Sequence, residues 1–327
     1  VIHQGDYMLS RGLSSVLALL AGVTCSFWLL HAMPGTYVDY LLDMAPGGQF
    51  LQADSEMLRH QFDLDRPLTV RYGRYIVDIL RGDWGLSFAH ARPVGPLIAE
   101  KVFWSLWLLL PAKLLALAAG VLIGAYSGWH AGKKRDFFFL GGALFLNAVP
   151  SYVWAIVAII VFGYGLALFP LGGFAGLGVL DGGLQLADVA YHGVLPMFVL
   201  TLCGLPNTYY LVRNTLSMAA GEDYIVTARA AGIGETRLLL RHCLPNALLP
   251  VVTLVPLQVA HLLTGSVFIE SVFSWPGIGL LTYEAIRSRD LPVLQGVFLL
   301  FTAAVVIGNL FADLSYTQID PRVRQGV

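Results

Sequence analysis

Long apolar runs separated by short polar stretches dominate the order of residues in this chain. Six runs are long enough to cross a bilayer, which takes about 20 mainly apolar residues: 13–33, 103–127, 137–164, 192–212, 248–269 and 293–314. The pattern predicts an all-α polytopic membrane protein with six transmembrane helices. Residues 1–33 form an N-terminal segment with the first span, and 34–102 a small extracytoplasmic subdomain between helices 1 and 2. Residues 103–314 form a core of helices 2–6, and 315–327 a tail. The first run is long for the apolar part of a leader peptide, and no small-x-small cleavage site precedes Pro34, so a retained helix is expected. Residues 1–7 do not read as the start of a membrane helix.

Among the prolines inside the runs are Pro111, Pro150 and Pro256. Proline removes a backbone donor and clashes with the preceding turn, so a kink is expected at each, at Pro150 a kink rather than a break. Packing irregularity and a gating role both fit such kinks.

Charge sets orientation. Lys133, Lys134 and Arg135 lie together between spans two and three. Arg213, Arg229, Arg237 and Arg241 lie between four and five, and Arg322 and Arg324 in the tail, whereas 165–191 holds no Lys or Arg. The positive-inside rule places these basic segments and both termini in the cytoplasm, with Arg287 and Arg289 as the exceptions. The arginines of 34–102 carry little weight, because long loops cross regardless of charge.

Composition narrows the classes further. The chain is 57% hydrophobic and 13% charged, with mean hydropathy +0.69, far from the soluble average of about 25% charged. Its net charge of −1 leaves no basic field for nucleic acid. Cys25, Cys203 and Cys243 are far apart and lack metal-ligand spacing, so buried free thiols are expected. No nucleophile–base or metal constellation at helical spacing supports a membrane enzyme, and a secondary transporter would need internal repeats and a charge network at membrane depth.

The polar segment 221–250, GEDYIVTARAAGIGETRLLLRHCLPNALLP, stands apart. Glu222 and Asp223 precede a helix-forming run and complement its N-terminus. Gly232 and Gly234 end that helix, and a second leads to Pro245. Ala228, Ala230 and Ala231 would let a partner backbone approach closely. A mere connector is usually shorter, so the loop reads as a docking surface; an amphipathic helix on the lipid surface is the alternative.

This segment resembles the EAA motif of ABC-importer permeases: EAA, three residues, Gly, nine residues, then I-x-L-P. Val226-Thr227-Ala228 stands in the EAA position, Gly232 is the glycine, and His242-Cys243-Leu244-Pro245 closes the motif. Val226 replaces Glu and His242 replaces Ile. The variant is similar to the first (B-type) subunit of the dipeptide, oligopeptide and nickel permeases. The resemblance extends along almost the whole chain, through Asp65-Arg66-Pro67 with Tyr72, Gly82-Asp83-Trp84-Gly85-Leu86-Ser87 and Gly221-Glu222-Asp223-Tyr224. It continues in Phe273-Ser274-Trp275-Pro276-Gly277, Arg289-Asp290-Leu291-Pro292 with Gln295-Gly296, Asn309 with Asp313, and Asp320-Pro321-Arg322. Where the family has Pro-Gly-Asp-Pro, this chain has Pro34-Gly35-Thr36-Tyr37.

The resemblance implies the type I ABC-importer transmembrane fold in a bacterial or archaeal cytoplasmic membrane. It implies a second homologous permease, two cytoplasmic ATPases that hold ATP and Mg, and an extracytoplasmic binding protein. Peptides are the expected cargo and nickel or a metal chelate the alternative; no catalytic or metal residues are expected in this chain. Loop 213–247 would couple to an ATPase, with a coupling helix near 221–233, through Glu222, Asp223, Tyr224, Thr227, Ala228, Arg229, Ala231, Gly232, His242, Leu244 and Pro245. The turn Gly128–Lys134 lacks the Ser/Thr of a phosphate loop.

Polar groups within spans are costly and are pathway candidates by default. Lys113 lies about mid-span and could instead pair structurally with a carboxylate or helix carbonyls. Asn147, Ser151, Gln258 and His261 could line a path or join helices. Glu270 and Asp313 fall near span ends, where hydration is expected to tolerate them.

Overall fold

The computed structural model describes residues 4–32, 35, 38–40, 57, 66–176, 182–260 and 266–319. Helices occupy most of them: α1 (Gln4–His31), α2 (Leu68–Leu80), α3 (Val94–Trp129), α4 (Lys134–Ala148), α5 (Ser151–Ala158), α6 (Gly182–Ala219), α7 (Asp223–Ala230), α8 (Glu235–Arg237), α9 (Leu244–Ala260), α10 (Val267–Val272), α11 (Ile278–Ser288) and α12 (Leu291–Ile319). A π-helical stretch Ile159–Gly165 follows α5, and another, Leu238–Cys243, joins α8 to α9.

Among the described residues four helical segments are long and apolar enough to cross a membrane: Arg11–His31, Val94–Trp129, Gln185–Ala219 and Leu291–Ala312. A fifth is obtained if α4 and the α5–π stretch count as one span. The expected span 248–269 maps onto α9, of 17 residues, and α10, with 261–265 outside the described residues. Helix α1 begins at Gln4, ahead of the apolar span that starts at Arg11.

The third expected span is corrected. Its two halves meet at 97°, a break rather than a kink. Val149 is extended (φ −97°, ψ 128°) and Pro150 follows at φ −57°, ψ 144° as the residue before α5. Clash with the proline ring drives the preceding residue out of the helical region, so α4 stops and α5 restarts in a new direction. Pro111, by contrast, lies inside an unbroken α3, and Pro256 inside α9.

The chain forms two compact units, Val1–Trp104 with Gly277–Leu310 and Ser105–Pro276 with Phe311–Val327. In the first, Phe27 of α1 stacks on His31 (4.0 Å between centroids) and meets Tyr72 and Tyr75 of α2. The segment Gly82–Ser87 makes a tight loop in which Gly82 and Gly85 adopt φ of 78° and 80°. Fully buried Asp290 holds that loop, accepting hydrogen bonds from Ser87 Oγ (2.6 Å) and the Ala89 amide (3.0 Å). Two of the sequence motifs thus meet as one structural joint. A cleft of about 170 Å³ beside it is lined by His31, Arg71, Arg74, Asp78, Trp84 and Gln295, among others.

In the second unit, α3 packs backbone to backbone on α6. Gly120, Gly124 and Gly128 line the contact at four-residue spacing. A Cβ at these positions would meet Thr208 Cβ at 2.6 Å, the Tyr209 carbonyl at 2.9 Å and the Arg213 carbonyl at 2.6 Å. Small residues at helical spacing allow this close approach, which membrane helices use in place of a hydrophobic driving force. Elsewhere in the unit Trp275, fully buried, stacks on Trp107 (5.5 Å), and its amide donates to the Glu270 carbonyl (2.8 Å). Glu270 corrects another expectation: it is fully buried, not hydrated, and accepts from the Ser105 hydroxyl at 2.7 Å.

Candidate coupling loop

The residues of segment 221–250 build a rigid elbow on the end of α6. Glu222, extended at φ −72° and ψ 147°, precedes α7, with Asp223 in its first turn. At the other end Ala231 caps the helix and Gly232 takes φ +82°. The Gly232 amide donates to the Arg229 carbonyl (3.0 Å) and the Ile233 amide to the Ala228 carbonyl (3.2 Å). These two bonds make a Schellman motif, which needs a left-handed residue after the helix. No atom lies within 4 Å of a Cβ built at Gly232, so the glycine is required by its backbone and not by space. Arg229 bridges the elbow to Glu235 with bonds of 2.8 and 3.3 Å, and its guanidinium lies 5.9 Å from the Trp129 ring centre.

Beyond the elbow the chain does not stop at Pro245. It winds as one continuous helical path from Glu235 through the π-helical stretch into α9. Ile225 of α7, Leu238 and Cys243 are fully buried, and cluster with Val212 and Leu216 of α6 and Ala247 and Val251 of α9. Thr215 Oγ1 of α6 also donates to the Ala247 carbonyl of α9 (3.1 Å). Burial pushes the Cys243 thiol pKa up, which suits an inert packing residue.

α6 is in turn anchored to α4. Asp136, its side chain 1% exposed, accepts four hydrogen bonds: Arg213 Nη2 (2.6 Å), Arg213 Nε (3.0 Å), Ser127 Oγ (2.7 Å) and the Gly132 amide (2.9 Å). Tyr209 Oη lies 2.8 Å from Ser127 Oγ. The elbow, α6 and α4 are thereby joined by one apolar cluster and one ionic network, the mechanical requirement for a lever.

The expected coupling residues divide. Glu222, Asp223, Tyr224, Thr227, Arg229, Ala231, Gly232 and Pro245 are exposed. Ala228 and Leu244 are partly exposed and pack against the chain's own cluster. His242 contributes its carbonyl, which accepts from Asn246 (3.2 Å). The coupling residues expected from the sequence leave out Val226, named there only as the residue in place of the motif Glu, and Leu240, exposed at 55% and 54%, and the anchors Ile225, Asp136 and Ser127. The apolar spacing of Ile225 was a local signal for its role. The partner of Asp136 lies 77 residues away and left none.

No hydrogen bond or ion pair joins the pathway candidates Lys113, Asn147, Ser151 and Gln258 among the described residues. Lys113 is half-buried, and the expected carboxylate or carbonyl partner is not found for it among those residues. Asn147 and Ser151 flank the 97° break, Gln258 Oε1 is buried without a hydrogen-bond partner among the described residues, and His261 lies outside them. Pro34, Thr36, Tyr37, Asp65 and 320–324 also lie outside them.

Comparison with known proteins gives this architecture its family. The chain is 32% identical to the oligopeptide transport system permease protein AppB of Bacillus subtilis (strain 168), over 97% of this chain and 98% of that protein. It is 31% identical to the glutathione transport system permease protein GsiC of Salmonella typhimurium (strain LT2), over 98% of this chain and 99% of that protein. Residues 120–325, which contain the elbow and its anchors, match the family described as binding-protein-dependent transport system inner membrane component. The chain belongs to that family, the membrane permeases of ABC importers.

Proposed function

We propose that this chain carries peptides inward as one of two homologous permeases, each with six transmembrane helices of the type I importer fold. Two cytoplasmic ATPases, which bind ATP and Mg, power it, and an extracytoplasmic binding protein delivers the cargo. The peptide cargo is supported by relatives named for oligopeptide and glutathione transport; neither is named for nickel or another metal. Orientation follows the basic segments, with both termini and the 221–250 elbow in the cytoplasm of a bacterial or archaeal cell.

One observation carries the mechanism: an exposed face of α7, with Asp223, Val226, Thr227 and Ala230, stands on a seat whose own apolar cluster is buried. Such a face can transmit a push because the elbow cannot give before α6 and α9 move. Closure of the ATPase dimer on α7 would rock these helices between inward- and outward-open states, a rigid-body switch of the kind that ligand-driven domains use.

The test is reconstitution with partner permease, ATPases and binding protein in proteoliposomes. Val226→Glu places a charge on the docking face without touching the buried cluster. It should leave assembly intact and abolish ATP-driven peptide uptake. Uptake that persists with the ATPases inactivated would identify a secondary transporter instead, and unchanged uptake by an assembled Val226→Glu protein would remove α7 from the coupling role.

A further inference from the structure

The start of α4 presents a second feature that coupling does not use. Lys133, Lys134 and Arg135 are exposed, and the neighbouring carboxylate, Asp136, is turned inward and bound to Arg213, Ser127 and Gly132. The three cations therefore stand without a local counter-charge: neither the Lys133 nor the Lys134 side chain makes a hydrogen bond or ion pair among the described residues. Arg135 is held in place by its Nη1 donating to Tyr126 Oη at 2.7 Å. Lys134 and Arg135 line, with Tyr126, Phe138 and Phe139, an open surface cavity of about 480 Å³. Tyr126 and Phe139 meet edge to face at 5.9 Å, and Phe138 and Phe139 at 5.6 Å. Phe137 and Phe138 are 64% and 77% exposed immediately below the cations.

We infer that this cavity binds the headgroup of an anionic phospholipid. The chemistry is layered as such a molecule is. Cationic donors at the mouth match a phosphate, and exposed aromatic rings one turn further into an apolar helix match the glycerol and upper acyl region. Aromatic rings favour this interfacial depth, and basic pockets at the ends of membrane helices select anionic headgroups. Because Asp136 is already committed to Arg213, the site keeps its charge, and a bound lipid would brace the α3–α4 turn that anchors α6. That the lipid comes from the cytoplasmic leaflet rests on the orientation proposed above; the site itself does not.

The test uses the chain purified with its partner subunits in detergent, titrated with phosphatidylglycerol, phosphatidylcholine or inorganic phosphate and read by native mass spectrometry. Phosphatidylglycerol should be retained preferentially. Lys134→Gln with Arg135→Gln should cut that retention by roughly 30-fold, taking each interfacial charge at its usual worth. Lys134→Arg with Arg135→Lys should keep it. The proposal is overturned if the two lipids are retained alike, if the neutral variant retains phosphatidylglycerol as well as the parent, or if millimolar inorganic phosphate displaces the lipid. It is also overturned if the assembled importer excludes lipid from the site because the second permease covers it. Orientation is read separately, by labelling Lys133→Cys with an impermeant maleimide in intact cells and inverted vesicles. A wrong leaflet and an absent site therefore give different results.

Discussion

Gly232 offers a sharp test of how the elbow works. Its φ of +82° lies in the left-handed region, and the space around it is open. Replacement by alanine therefore adds backbone strain and nothing else. For an L-residue in this conformation the strain is about 1–2 kcal/mol, a factor of roughly 5–30 in the population of the Schellman turn. If the turn must be intact for α7 to push, ATP-coupled peptide uptake in proteoliposomes should fall by up to that factor in Gly232→Ala. Gly232→Asn should recover much of the loss, because asparagine tolerates the left-handed region, although its side chain is larger. Gly232→Val should be worse than alanine. ATP hydrolysis measured alongside should become less responsive to peptide-loaded binding protein, while the amount of assembled complex stays constant. A series that tracks side-chain size, with alanine silent and asparagine impaired, would refute the backbone argument and show that the glycine serves clearance for a docking partner.

Three further outcomes follow from the packing. Asp136→Ala strips four hydrogen bonds from a buried site and leaves a largely buried Arg213 unpaired. It should destabilise the detergent-solubilised protein by about 3–5 kcal/mol, and adding Arg213→Ala should cost less than the sum of the single changes; strict additivity in thermal unfolding would deny the pair. Gly124→Leu drives a side chain into the Tyr209 carbonyl and Val212, an overpacking cost of about 1–3 kcal/mol, whereas Gly141→Leu, with open space around its Cβ, should be close to neutral in the same assay. Cys243, fully buried with its thiol pKa raised by burial, should resist a polar alkylating reagent in the folded protein and react on unfolding; rapid labelling under native conditions would show that the α7–α9 cluster opens.

Much of the molecule is written in properties that a short stretch of chain carries by itself. Four of the six apolar runs became helices long and apolar enough to cross a membrane, and the run of residues from Glu222 to Gly232 became a capped helix with a left-handed stop. These outcomes depend on transfer free energy and on backbone sterics, which act within a few residues. Pro150 marks the limit of such rules: they disfavour the helical region at Val149, but whether the chain continues, kinks or turns by 97° depends on what the two halves pack against.

The joints of the structure are of another kind. Asp136 with Arg213, Ser105 with Glu270, and Ser87 with Asp290 join residues 77, 165 and 203 positions apart. No local pattern names such partners, because a buried charge or hydroxyl is stabilised by whichever group the fold delivers to it. For the same reason the packing of partly exposed Ala228 against Ile225's own cluster is not legible from its small size. Sequence alone therefore determined the class of this protein, its membrane runs and the presence of an elbow with a required glycine. The tertiary structure decided which face of that elbow is free, what fixes it to α6, and why Asp136 leaves the basic turn beside it charged.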